Sequence, residues 1–290
     1  MNMLSDRERV LCLSPFSAPN PALVVAAERA GALGVLDLGP NAASDLDRVI
    51  ARHTRAFGVR LHGPLTVALP EAVDTVLIDL VRHVPNRAEL GERNVLAVIT
   101  SVAEAVAAIE FGAAGLIAKG AEAGGRVGGS PAFVLLQQVL ALTDLPVWVA
   151  GSIGPDTAAA AIAGGARGVV LEGQLTLVAE ARKHISGEIV NAVRMMDGAD
   201  TVVNDGLRVH VRQNTLEIGQ EGAFAEFNRV SFGTVGGVVG AIQRGIRDNL
   251  AQAADHRSIR AGGPFCDRVP GLRYPIAQGP MTRVSDQPAF

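Results

Sequence analysis

Residues 146–175, PVWVAGSIGPDTAAAAIAGGARGVVLEGQL, decide the fold. Two short runs within them, Val147–Ala150 and Gly168–Leu171, are apolar without a break, as strands covered on both faces must be. Between the runs, Asp156–Ala163 is an alanine-rich helical stretch that stops at Gly164, a residue suited to a helix C-cap. A strand, a helix and a second strand in so few residues predict a parallel pair joined by a helical crossover.

Outward from this unit the pattern repeats. Further strands are predicted at Val10–Leu13, Gly34–Leu38, Gly58–Leu61, Thr75–Leu80, Val95–Ile99 and Gly115–Ala118, with helices at Pro21–Ala30, Ala103–Phe111 and Pro131–Leu142. Ala30-Gly31 and Phe111-Gly112 repeat the glycine stop. The links after the third and fourth strands, HGPLTVALPEAVD and VRHVPNRAELGER, hold a helical turn or two at most. Eight strands alternating with helices predict an α/β protein, a (β/α)₈ TIM barrel. An open doubly wound sheet is the competing architecture, and it usually has fewer strands. Beyond residue 185 the character changes. Thr201–Val203 and Leu207–Val211 flank Asn204-Asp205-Gly206, a hairpin signal, and a helical stretch follows at Val235–Ala254. Residues 1–185 are therefore read as the barrel and 186–270 as a hairpin and helical C-terminal appendage or linker.

Composition narrows the function. At 48% hydrophobic and 19% charged, the 290 residues can bury a large core. A formal net charge of −3 gives no reason to expect nucleic acid or an anionic membrane as partner. Cys12 and Cys266 have neither ligand nor redox spacing and suit a reducing compartment. The N-terminus lacks a signal-peptide apolar run, and no stretch supplies the ~18 apolar residues of a membrane helix. A cytoplasmic location is expected. His53, His184, His210 and His256 show no metal-ligand spacing, and no G-x-S-x-G turn supports a serine hydrolase.

Three glycine-bearing turns follow the last three strands: Lys119-Gly120-Ala121-Glu122-Ala123-Gly124-Gly125-Arg126, then Gly151-Ser152-Ile153-Gly154, then Glu172-Gly173-Gln174. Glycine lets backbone amides approach a phosphate, a following helix N-terminus favours an anion, and barrels often bind phosphate after strands seven and eight. His62 and His83 follow strands three and four, where an imidazole would serve as proton donor. Lys119, one of only two lysines, ends strand six, and Asp79 ends strand four.

AKGAEAGGRVGG, with PVWVAGSIGPDTAAAAIAGGARGVVLEGQL and the opening SPFSAPNPALVVAAERAGALGVLDLG, resembles the nitronate monooxygenase (2-nitropropane dioxygenase) family. That family includes the enoyl-reductase-like FMN barrels attached to polyketide and polyunsaturated fatty acid synthases. RYPIAQGPMTRVSD resembles the same opening, so residues 271–290 are expected to begin a second, truncated related barrel. The resemblance implies FMN, with its phosphate on Gly151, Ser152, Gly173 and Gln174 and its ring near Pro15, Phe16, Gly124 and Gly125. Lys119 would hold phosphate or stabilise reduced flavin. NAD(P)H would be the reductant, a small molecule or acyl thioester the substrate, and downstream domains of the same polypeptide the partners.

The sequence also departs from that family. Arg126 stands where the monooxygenases carry a basic histidine. With a side-chain pKa above ~12, arginine takes no proton from a nitroalkane. Arg126 is expected instead to bind an anionic group or polarise a carbonyl. Gln174 replaces a threonine, and Arg60 lies near a position where asparagine contacts the flavin. The candidate catalytic residues are therefore Arg126, His62 and Lys119. Two function classes follow, an FMN-dependent oxidoreductase domain and a catalytically inactive barrel serving as scaffold or docking domain. A barrel holding another phosphorylated metabolite is a third option.

Overall fold

The computed structural model describes residues 6–52, 55–255, 266–268, 271 and 273–274. Eight parallel strands close into a barrel: β1 (Val10–Leu13), β2 (Leu33–Asp37), β3 (Phe57–Arg60), β4 (Val73–Ile78), β5 (Asn94–Ile99), β6 (Gly115–Lys119), then, past the two-residue β7 (Gly125–Arg126), β8 (Val147–Ala150) and β9 (Gly168–Leu171). Strand β1 pairs with both β2 and β9, Leu11 lying beside Leu33 on one side and Val170 on the other, so the ring has no free edge. Closure excludes the open sheet. The TIM barrel expected from the alternation is what the chain forms.

Around the barrel lie α1 (Pro21–Arg29), α2 (Ala42–Ile50), α3 (Arg87–Leu90), α4 (Val102–Phe111), α5 (Ala132–Leu140) and α6 (Pro155–Ala163). Local chemistry sets their ends. The Asn20 side chain accepts from the Leu23 amide ahead of Pro21, and Ser101 accepts from the Glu104 amide at the start of α4. Helix α4 stops where Gly112 turns left-handed. No helix joins β3 to β4, and only α3 lies between β4 and β5, as the short links predicted. Helix α2 was not predicted.

Strand side chains alternate between the barrel's inside and outside. The inward row includes Leu11, Leu13, Leu33, Val35, Leu77, Leu96, Ile117, Trp148 and Val170, all buried. Trp148 forms much of this floor. A Cβ on Gly115 or Gly168 would stand 2.7 or 2.8 Å from its indole, so the large ring needs bare backbone on both neighbouring strands.

Beyond β9 come α7 (Ala179–Arg182), α8 (Gly187–Arg194), β10 (Thr201–Asn204), β11 (Leu207–His210), α9 (Phe224–Ser231) and α10 (Val235–Asp255). Asp205 and Gly206, both at positive φ, make the predicted hairpin turn. Strand β11 also pairs with β7, Leu207 opposite Arg126 and Arg208 opposite Gly125. A second cluster, Leu177, Val193, Met196, Leu216, Ile218 and Ala225, packs with Phe16 and anchors this region beside the barrel mouth. The chain divides into two compact units, residues 1–247 and 248–290. The expected second barrel start past Tyr274 lies outside the described residues. Among the described residues, no helix is long and apolar enough to cross a membrane.

Candidate functional site at the barrel mouth

Continuing the inward rows of β2, β4, β5, β6 and β9 by two residues gives the mouth most of its character. Above Val35 stands Asp37, above Leu77 Asp79, above Val98 Thr100, above Ile117 Lys119 and above Val170 Glu172; Arg60 ends β3. Every one is polar or charged. The apolar core thus ends in a charged layer at the carboxyl ends of the strands, where barrel sites are built.

Two ion-pair clusters occupy most of that layer. In the first, Arg60 Nε donates to Asp37 Oδ1, and its second nitrogen sits 2.8 Å from Glu172 Oε1. His62 Nε2 also approaches Asp37 Oδ1, at 2.6 Å. Burial would lower the Arg60 pKa, but Asp37 and Glu172 overcome it and hold the guanidinium charged. The pair with Glu172 ties β3 to the turn after β9.

The second cluster is centred on Arg126. Its Nε and one terminal nitrogen grip Asp79 at 2.8 and 2.9 Å. The terminal nitrogens also donate to both Glu104 oxygens at 2.8 and 3.0 Å and to Thr100 Oγ1 at 3.0 Å. Five donors meet five acceptors, which is all a guanidinium has. The anion-binding role expected for Arg126 therefore has no free donor. The residue acts as a clamp joining β4, β5 and α4 to the glycine turn.

The turns after β8 and β9 lie side by side. Gln174 Nε2 donates to Gly151 O at 3.1 Å and Ile153 O at 3.2 Å, bridging them. Gln174 is 1% exposed, so its side chain serves the scaffold and only its backbone remains for a ligand. The amides of Ser152, Gly173 and Gln174 donate to no group among the described residues. Gly154 caps α6, whose N-terminus adds partial positive charge beside these turns. Two carboxylates flank them. A Cβ on Gly151 would meet Glu122 Oε1 at 2.7 Å, and one on Gly173 would meet Glu221 Oε1 at 2.6 Å.

Glu221 comes from the appendage. Its Oε1 accepts from the Gly124 and Gly219 amides at 3.1 and 3.3 Å, while the buried Oε2 has no partner. Burial pushes its pKa from 4.5 up to about 7, against the pull of its own amide, the Gly124 amide and Lys119. Lys119 faces it across the crevice. Burial pushes the lysine pKa down against the pull of Glu172 and Glu221, with Arg60 and Arg82 adding to the shift. Among the described residues its amine makes no hydrogen bond and no ion pair.

Most expected site residues gather here. Phe16, His62, Lys119, Gly124, Arg126 and Gly173 line one crevice with Ser17, Arg60, Asp79, Arg82, Glu172, Glu217 and Glu221. Pro15 and Phe16 line an adjoining one, and Phe16 and Ser17 hold left-handed backbone at φ 60 and 52°. Gly125 lies in β7 at φ 72°, and Gly124 packs against the backbone of Ile218 and Gly219. His83 is not among the residues lining this crevice. Sequence reasoning missed Asp37, Glu104, Thr100, Glu172 and Glu221. The first, third and fourth were readable from the two-residue alternation; Glu221 left no comparable signal. The cavity left between these side chains is about 60 Å³, room for a few water molecules.

No protein-family model matches this chain, and no curated protein matches it. Solved structures do match. FabK from Thermotoga maritima superposes with a TM-score of 0.71 at 19% identity, covering 86% of this chain and 96% of that one. A single-residue mutant of the same FabK gives 0.71 at 21% identity over the same shares. A nitroalkane oxidase from Streptomyces ansochromogenes gives 0.66 at 18% identity, covering 84% and 97%. At such identities the likeness establishes a shared barrel fold.

Proposed function

We propose that this barrel is an FMN-dependent oxidoreductase domain whose cofactor phosphate rests on the turns after β8 and β9. One observation carries the reading: Gln174 holds those turns together while the Ser152, Gly173 and Gln174 amides stay unpaired. Such donors beside a helix N-terminus suit a phosphate. The barrels the sequence resembles, and the oxidase and FabK whose fold it shares, favour FMN among phosphorylated ligands. The same reading extends to NAD(P)H as reductant, an acyl thioester or other small molecule as substrate, and downstream domains of a polyketide- or fatty-acid-synthase-type polypeptide as partners. FMN supplies the hydride chemistry when bound; this chain orients it and sets the charge around it.

The Ser152, Gly173 and Gln174 amides suit the phosphate end of FMN, but the central crevice, as arranged, does not hold its ring. The Arg60–Glu172 pair crosses the mouth, and 60 Å³ is far below the ~300 Å³ or more of ordinary ligand sites. That observation, with the spent donors of Arg126, favours a second reading: an inactive scaffold whose ion pairs fill the space of the ring. Titration with FMN, followed by flavin fluorescence, separates the two. The oxidoreductase reading expects saturable binding, bleaching of the bound flavin by NAD(P)H, and tighter binding by Arg60→Asn, which opens the strut. No binding by either protein supports the scaffold. Stabilisation by other phosphorylated compounds but not by FMN supports the third option.

A further inference from the structure

Among the described residues, the Lys119 amine makes no hydrogen bond or ion pair that the fold uses. Every other charged side chain at the end of an inward row is paired, Arg60 with Asp37 and Glu172, and Asp79 with Arg126. Lys119 is half-buried above Ile117, opens into the crevice, and has no hydrogen-bond or ion-pair partner among the described residues. An unpaired lysine in such a place costs stability, and burial relieves the cost by favouring the neutral amine. A neutral amine is a nucleophile. Glu221 also lines the crevice, and the second oxygen of its carboxyl is buried with no partner among the described residues. Arg82, at the rim, touches Asp79 and Glu217 only loosely, at 3.7 Å each, and so keeps capacity for an anion.

From this arrangement we infer that Lys119 captures a short oxo acid, of two or three carbons, as a covalent imine, with Glu221 moving the protons and Arg82 receiving the carboxylate. The 60 Å³ cavity suits a compound of that size. In the first step the Lys119 nitrogen lone pair forms a bond to the carbonyl carbon. The carbonyl oxygen takes the Glu221 proton, and the resulting carboxylate takes one proton back from nitrogen, leaving a neutral carbinolamine. Glu221 then protonates the hydroxyl, the carbon–oxygen bond breaks, and water leaves. A protonated imine remains beside the Glu221 carboxylate. Amine and carbonyl are consumed, one water is released, and no oxidant or reductant is needed. The groups facing Glu221 are consistent with these transfers. Burial and the nearby Glu172 hold its proton on near neutrality, while Lys119 and the Gly124 amide favour its release. The inference goes beyond the flavin reading and does not depend on it.

The composition supplies its own control, because Lys183 is the chain's other lysine and is exposed. The full-length chain is incubated with glyoxylate and sodium cyanoborohydride, which reduces an imine to a stable secondary amine, and the two lysines are compared by peptide mass spectrometry. At pH 7 Lys119 should be modified several-fold faster than Lys183, because burial favours its neutral amine. The ratio should shrink toward pH 10. Glu221→Gln should slow modification of Lys119 and leave that of Lys183 unchanged. Arg82→Ala should erase the preference for glyoxylate over propionaldehyde at Lys119. Modification of Lys119 no faster than of Lys183 would overturn the proposal, as would equal rates with glyoxylate and propionaldehyde. Neither readout involves flavin, so failure here is distinguishable from failure to bind FMN.

Discussion

Replacing Glu221 with glutamine turns the buried carboxyl into a stability measurement. Glu221 is 5% exposed, and its pKa rises from 4.5 to about 7 in the folded chain. Between those values the folded protein keeps a proton that the unfolded chain has released. Stability therefore falls as pH rises through this window: the contribution is whole below 4.5 and lost above 7. Glutamine keeps a carbonyl for the Gly124 and Gly219 amides but cannot ionise. At about 1.4 kcal/mol per pKa unit, the advantage of Glu221→Gln should grow from about 1 kcal/mol at pH 5 to about 3 kcal/mol at pH 8. Glu28, also pushed to about 7 by burial, tilts both proteins equally and cancels in the difference. Urea unfolding followed through Trp148, the only tryptophan, reads the barrel itself. A difference that does not change with pH would refute the reasoning, for it would mean that Glu221 is ionised in both states.

The other expectations concern the clamp and its turn. Arg126→Ala should cost about 2–4 kcal/mol in urea unfolding, because Asp79 and Glu104 lose their shared partner at sites only 15% and 21% exposed. Arg126→His should recover only part of that, since an imidazole cannot supply five donors. Gly128→Ala places a Cβ 2.3 Å from the Thr100 carbonyl and should cost about 1–3 kcal/mol, whereas Gly129→Ala meets open space and should stay within about 0.5 kcal/mol. Equal unfolding midpoints for those two variants would show that the turn is looser than described.

The barrel was legible because a strand buried on both faces has little freedom in composition. Val147–Ala150 and Gly168–Leu171 match their predicted bounds, and β6 differs from its prediction only by including Lys119. That single residue matters. The sequence already placed Lys119 at the end of strand six, and its position in the strand as the inward neighbour of Ile117 aims it into the mouth. Helix α2 escaped because Ala42–Ile50 carries Asp45, Asp47 and Arg48 among few large apolar residues and reads as a polar link. Its apolar stripe, Leu46 and Val49 with Ala42, appears only when the wheel is set against the barrel.

The site was legible to a lesser degree, and the glycines explain why. A glycine in a βα turn announces that something comes close to the backbone; it does not say what. At Gly173 the neighbours are an unpaired amide and the Glu221 carboxylate, at Gly151 it is the Glu122 carboxylate, and at Gly124 it is the backbone of Ile218 and Gly219. Three similar turns thus serve three different approaches, and those at Gly151 and Gly173 keep amides for a ligand, Ser152 in one and Gly173 and Gln174 in the other. Charged residues are the better guide once register is known, because an inward-facing charge at a strand end must find a partner or do without. Asp37, Arg60, Asp79 and Glu172 find partners among themselves or in Arg126, and Lys119 does not. The turns say where an anion would rest, but the unpaired amine marks where the chain has left reactivity unspent. Chemistry at this mouth should therefore be sought first at Lys119.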